Sequence, residues 1–287
     1  MASKDGDPAD RLSHLLERFH VRASLFHAGP LCDRTVFVAQ PDRAFLHVLR
    51  RGTLRIEHGG RKGMPRRVEV REPTLVLYPR AVHHEFVNPP HEGSDFTCAT
   101  LHFDGGDRHP LVAALPPLVL VPLDAVQGLR PALDLLFDET QRARCGSRVL
   151  ADRLFEVVLI QLLRWIIDHP REVGVTSGLV MGLSDPRLAR AMVALHRAPH
   201  EDWPLARMAG EAGMSRSAFA EAFKAVTGAT PSAYLTDWRL TLASTRLRAG
   251  ESQKLVAADL GFATASSLSR AFKQRFGASP RAWLGEA

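Results

Sequence analysis

The last hundred residues of this chain repeat themselves, and the repeat limits what they can fold into. One copy reads GMSRSAFAEAFKAVTGATPSAYL (Gly213–Leu235) and the other GFATASSLSRAFKQRFGASPRAWL (Gly261–Leu284). Phe223 and Phe272, Gly228 and Gly277, Pro231 and Pro280, and Tyr234 and Trp283 align at a separation of 49 residues, and Gly213 and Gly261 at 48. A fixed period of this kind marks a duplicated supersecondary unit. Each copy has the logic of helix, sharp turn, helix. In the first, Leu205, Met208 and Ala209 supply the buried face of a short helix, and Gly213 permits a turn that needs positive φ. Ser215 caps the next helix. Phe219, Ala222, Phe223 and Val226 point inward, and Gly228 ends it. In the second, Leu255, Val256 and Leu260 precede Gly261, and Leu268, Ala271, Phe272 and Phe276 form the stripe that Gly277 stops. The units span about 205–228 and about 253–277. Pro231 to Ala249 reads as one connecting helix with Leu235, Trp238, Leu242 and Leu247 on its buried face.

What remains outward on the second helix of each unit is small or charged, which suits a helix that enters the major groove of DNA. The charge distribution agrees. From Asp185 onward there are fourteen Lys+Arg against nine Asp+Glu, whereas the preceding residues hold twenty-three against twenty-two. Most of the chain's net charge of +6 thus lies in its last third, where it favours a polyanionic partner. A stiff connecting helix would hold two such units about one DNA turn, roughly 34 Å, apart.

These segments, with Trp238-Arg239-Leu240 and Asp259–Trp283, closely resemble the DNA-binding domain of AraC-type transcription regulators. The resemblance places base-reading positions at Ser217, Ala220 and Glu221 in the first unit and at Ala265, Ser266, Ser269 and Arg270 in the second. Arg270 can donate twice to guanine, and Glu221 can accept from a cytosine amino group, whereas Ala220 offers only a methyl contact. Arg216, Lys224 and Lys273 are expected on phosphates, where they set affinity and salt dependence. The partners implied are double-stranded DNA and RNA polymerase.

The N-terminal half has a different rhythm. Short apolar runs predict strands at Val21–Phe26, Thr35–Ala39, Ala44–Arg50, Thr53–Glu57, Arg67–Arg71, Thr74–Tyr78, His84–Val87 and Phe96–Phe103, separated by Gly29-Pro30, Arg51-Gly52, Gly59-Gly60, Glu72-Pro73 and Asn88-Pro89-Pro90. A short amphipathic helix precedes them at 10–19. Helical spacing follows at Ala125–Ala143 and Arg148–His169. The second of these is so apolar that it needs burial on more than one side, either within one subunit or against a homodimer partner. Residues 171–184 read as a linker, and Asp185-Pro186 opens the first helix of the C-terminal domain.

Residues Phe45–Ile56, Pro73–Phe86, Phe96–Asp104 and the run PLVAALPPLVLV resemble the cupin-like domain of one AraC subfamily that responds to oxidants or reactive chlorine. The fold class expected is therefore α+β: an N-terminal antiparallel cupin-like β-barrel with helices over 10–170, and an all-α domain of two helix-turn-helix units over 185–287. Cupins often hold a metal. The candidate ligands are His47, His84 and His102, which would suit a divalent ion such as zinc, although the full cupin histidine–carboxylate motif is not present. Cys32 and Cys98 are candidate redox switches, with a packed, inert Cys98 as the alternative.

The function expected is that of a transcription regulator, not an enzyme, with an unknown small molecule or oxidant acting on the barrel. The alternative is a metal-dependent cupin enzyme fused to a DNA-binding module. The most apolar stretch, Val149 to Ile167, is interrupted by Asp152, Arg153, Glu156 and Arg164, so no membrane span is expected. Three widely spaced cysteines without a CxxC pair and a polar N-terminus suit the cytoplasm.

Overall fold

A computed structural model describes residues 10–60, 63–88, 93–142 and 144–285. Pro89 and Pro90, expected in a turn, and Ala143, the expected end of a helix, lie outside the described residues. The chain divides into two units, residues 20–175 and residues 10–19 with 176–285.

Among the described residues, the first unit has nine strands: β1 (Val21–Leu31), β2 (Arg34–Phe37), β3 (Ala44–Arg51), β4 (Leu54–Glu57), β5 (Arg67–Val70), β6 (Thr74–Tyr78), β7 (His84–Val87), β8 (Ser94–Phe103) and β9 (Val119–Pro122). They form two antiparallel sheets, in the orders β1-β8-β3-β6-β9 and β2-β7-β4-β5. The pairing is that of two facing sheets, the double-sheet form of a cupin barrel. Inward side chains of both sheets merge in one core: Phe37 and Phe86 from one, Phe45, Tyr78, Phe96 and Cys98 from the other. β3 and β6 are buried almost throughout, so the larger sheet is covered on both faces.

Helix α2 (Pro110–Ala114) follows the last long strand, and α3 (Leu129–Gln141) and α4 (Ser147–Asp168) pack on each other, α4 also lying along β1. β1 is an edge strand, whose free N–H groups need partners. Two carboxylates one helical turn apart on α4 provide them: Asp152 accepts from the Leu25 N–H at 2.6 Å and Glu156 from the Ala23 N–H at 3.3 Å.

The second unit comprises α1 (Ser13–Arg18), α5 (Leu179–Ser184), α6 (Pro186–Arg197), α7 (Leu205–Glu211), α8 (Arg216–Thr227), α9 (Pro231–Arg248), α10 (Gln253–Asp259), α11 (Ala265–Phe276) and α12 (Pro280–Gly285). Two boundaries differ from the sequence expectation. Helix α1, expected in the barrel domain, belongs to this unit. Leu12, Leu15 and Phe19 are buried, Phe19 meets Trp238 edge-on at 5.4 Å, and Arg18 donates to the Arg197 carbonyl at 3.0 Å. The stretch 171–184, expected as a linker, is largely helical: a 3-10 turn covers Pro170–Val173, and α5 packs on α6 and α8. Val180 and Leu183 give α5 a buried face, which explains why it is not free chain.

Candidate nucleic-acid interface and sensor core

The helix-turn-helix units form as their residues dictate. Ser215 caps α8 by accepting from the Ala218 N–H, and Thr264 caps α11 in a reciprocal capping box with Ser267. Asp185, Thr230 and Ser252 do the same for α6, α9 and α10. Each such cap contributes about 1 kcal/mol. The turn glycines adopt φ of +65° at Gly213 and +74° at Gly261. The repeat persists in three dimensions. Phe223 meets Tyr234 at 5.3 Å and 77°, and their counterparts Phe272 and Trp283 meet at 5.4 Å and 79°.

The repeat also extends one helix further than the aligned sequence segments. Arg190 on α6 donates to the carbonyls of Glu211 and Ala212 just before Gly213. Arg239, 49 residues later on α9, donates to the carbonyls of Pro199 and Glu201 and lies within 3.4 Å of that of Gly261. Arg190 clamps the turn of its own half with charge-assisted bonds, whereas Arg239 ties the α6–α7 loop of the first half to the turn of the second. The duplicated module is therefore three helices, α6-α7-α8 and α9-α10-α11. The signal is present in the sequence as that 49-residue arginine spacing. Leu205, expected on a buried face, is instead 38% exposed, and Leu255 is 50% exposed.

The base-reading candidates lie on α8 and α11. Ser217, Glu221, Ser266 and Arg270 are exposed; Ala220, Ala265 and Ser269 are half-buried. Arg216 and Lys224 on α8 and Lys273 on α11 are exposed too. No hydrogen bond or ion pair engages Arg216, Lys224, Arg270 or Lys273 within the described residues, whereas Arg246 and Arg275 of the same unit are bound to acidic side chains. Charges left uncommitted on the two second helices are available to an external anion.

In the core of the first unit, His47 and His84 are fully buried, with their Nε2 atoms 3.1 Å apart. The tautomers follow from the partners. His84 Nδ1 faces the Val82 carbonyl at 2.9 Å, which can only accept, so this nitrogen carries the proton. His84 Nε2 then accepts from His47 Nε2–H, and His47 Nδ1 is left as a buried acceptor without a partner. His58 Nδ1 likewise donates to the Pro65 carbonyl, and its Nε2 accepts from the Tyr78 hydroxyl. Tyr78 stacks on His84 at 3.9 Å. Burial, reinforced by mutual repulsion, holds His47 well below the usual histidine range, and burial brings His84 down to about 3. Both imidazoles are neutral at physiological pH.

This geometry corrects the expected metal set. His102 is exposed near the end of β8 and does not join the pair. No cluster of three His, Cys, Asp or Glu side chains suited to a metal exists among the described residues. Zinc sites use at least three protein ligands, and the hydrogen bond within the pair occupies the His84 lone pair. The residues do not fit a divalent cofactor.

The two candidate cysteines lie in different settings. Cys98 is buried opposite His27 in the β1–β8 ladder, whereas Cys32 is exposed beyond the end of β1. Five residues of strand separate the two levels, about 17 Å at ~3.4 Å per residue, well beyond disulfide reach. Burial pushes the Cys98 thiol well up, the opposite of a reactive thiolate. Arg34, near Cys32 in sequence, is committed to Glu85 and Glu57.

An open cleft of about 870 Å³ lies elsewhere in this unit, between α3 and the ends of β3 and β9. Leu123, Val126, Leu133 and Phe137 give it apolar surface, and Arg50 and Arg51 line it. The Arg50 guanidinium sits 4.8 Å over the Phe137 ring.

Comparison with known proteins separates the same two domains but groups α1 with the first. A cupin family model matches residues 10–168, which includes α1, and a helix-turn-helix domain model matches residues 208–286. Two relatives described as putative AraC-like transcription regulators come from Streptomyces lividans and Streptomyces antibioticus. They are 36% and 38% identical over 173 and 176 residues, in each case 59% of this chain and 56% of the relative. The chain thus spans little more than half the length of these curated relatives. A third, the RCS-specific transcriptional activator RclR of Escherichia coli K12, is 29% identical over 216 residues, covering 74% of this chain and 75% of the relative. The chain belongs to the cupin family through residues 10–168 and couples that domain to a helix-turn-helix domain over residues 208–286.

Proposed function

We propose that this chain is a sequence-specific DNA-binding transcription regulator of AraC type, with double-stranded DNA and RNA polymerase as partners and an effector acting on the cupin domain. One observation carries the reading. Two matching three-helix modules present uncommitted side chains on α8 and α11, with Lys224, Lys273 and Arg270 among them. The connecting α9, 18 residues long, spans about 27 Å, which suits two insertions about one turn of duplex apart.

The effector we assign is a small molecule seated in the cleft beside α3, whose volume of about 870 Å³ falls in the range of ligand pockets. The relative RclR is named for reactive chlorine species. In this chain the separation of Cys32 from Cys98 supports a bound ligand over a disulfide switch. Exposed Leu150 and Val157 on α4 and Leu135 on α3 leave apolar surface that a second copy would cover in a homodimer. The enzyme alternative finds less support, because His47 and His84 lack a third ligand among the described residues.

Selection of bound duplexes from a random pool by the full chain tests the reading. Two enriched half-sites about 10 base pairs apart are expected; a pool without enrichment contradicts it. No helix among the described residues is long and apolar enough to cross a membrane.

A further inference from the structure

Gln253 stands at the first position of α10, outside the helix that reads bases, yet its side chain reaches into that helix. Its Nε2 donates to the Ala265 carbonyl at 2.7 Å and to the Ser269 hydroxyl oxygen at 2.6 Å. The amide orientation is fixed by chemistry. A backbone carbonyl can only accept, so the group facing it is the NH2, and both of its hydrogens are used. Ser269 therefore receives a hydrogen bond at its oxygen. A serine in a helix commonly returns its own proton to the carbonyl four residues back, which here is Ala265. That carbonyl already takes the Gln253 amide in addition to its helical N–H, so both lone pairs are engaged. The Ser269 proton is turned from that carbonyl, and the face of α11 beside it presents Ser266, Arg270 and Lys273.

The first module lacks both members of this arrangement. Leu205 stands at the position aligned with Gln253, and Ala220 at the position aligned with Ser269. Polar partner and polar target occur together in one half, and apolar counterparts occur together in the other.

We propose that Gln253 is a positioning residue for sequence recognition: by taking one of the two Ser269 lone pairs it turns the hydroxyl proton outward, which favours a base edge bearing an acceptor. In the major groove those are guanine O6 or N7, thymine O4 and adenine N7. The inference rests on the DNA-binding reading above and adds to it a polarity at one base position.

The test is base selection from random duplexes by the full chain and by Gln253→Glu, Gln253→Leu and Ser269→Ala, scored position by position. A carboxylate can only accept. In Gln253→Glu the Ser269 proton turns inward to it, and the hydroxyl lone pairs face the DNA. The preferred base at that position then changes toward cytosine or adenine, whose amino groups donate. Gln253→Leu frees the hydroxyl to rotate and weakens the preference there by about two- to tenfold, the range of one neutral hydrogen bond. Ser269→Ala removes the preference. The same single position responds in all three, and the others keep their wild-type profile.

A Gln253→Glu profile identical to wild type, or one changed equally at every position, overturns the proposal. If Gln253→Glu does not fold, Gln253→Leu decides: an unaltered profile sinks the proposal, and a weakening confined to the position that Ser269→Ala abolishes supports it. Failure of the underlying reading is separate, because there the wild-type chain itself enriches no sequence.

Discussion

The two turn glycines look equivalent in sequence but sit in different surroundings, and alanine substitution separates them. Both have positive φ, and an L-residue there costs about 1–2 kcal/mol. At Gly213 the nearest atom to an added Cβ is an Arg190 guanidinium nitrogen at 3.3 Å, the far end of a flexible side chain. At Gly261 it is the His200 carbonyl oxygen, at 2.4 Å. That oxygen must retreat by more than half an ångström, and it lies in a segment held on both sides by Arg239, through Pro199 at 2.6 Å and Glu201 at 2.9 Å. Loosening one bond to a charged group costs about 1.5–3 kcal/mol. Gly213→Ala is thus expected to destabilise by about 1–2 kcal/mol and Gly261→Ala by about 3–5 kcal/mol. Urea unfolding in a Trp165→Phe background reads the C-terminal unit alone, because the other tryptophans, Trp203, Trp238 and Trp283, all lie in it. With a slope of about 1.5 kcal/mol per molar urea, the two midpoints differ by about 1 M or more. Equal midpoints would refute the idea that a clamped backbone, rather than φ alone, sets the cost.

Further outcomes follow from the same geometry. Arg270→Ala should lose about 1–3 kcal/mol of discrimination at one base pair in competition binding; an unchanged preference removes Arg270 from the readout. Lys224→Ala should weaken binding to all sequences and reduce the log–log salt slope by about 1, and an unaltered slope argues against a phosphate contact. Iodoacetamide applied to the native protein should label the exposed Cys32 and Cys145 and spare Cys98 until the chain is unfolded. Labelling of native Cys98, read by peptide mass, contradicts the sealed core described above.

Residue patterning alone makes much of this fold legible. β6 and β7 begin and end where alternation and turn residues put them, and Ser215, Gly228 and Gly277 act as their types suggest. The rest depends on contacts that local sequence does not encode. β9 is four residues in a proline-flanked apolar run, too short to show a period. Helix α1 has an amphipathic pattern, but its partners, Arg197 and Trp238 among them, lie about 180 to 220 residues away. The three histidines form a set by chemistry, not by position. His102 shares strand parity with Cys98, yet it lies near the end of β8, where it is exposed, so parity does not bring it into the core. The Arg190–Arg239 correspondence is visible as a spacing but has no meaning on its own, because arginine on a helix gives no sign of what it clamps.

The claim underlying the account is that α8 and α11 enter successive major-groove segments on one face of a duplex. Hydroxyl-radical footprinting of the full chain on its selected site tests this most directly. Two protected segments with centres about 10 base pairs apart and in phase are predicted. A single protected segment, or two segments half a helical turn out of phase, would contradict it.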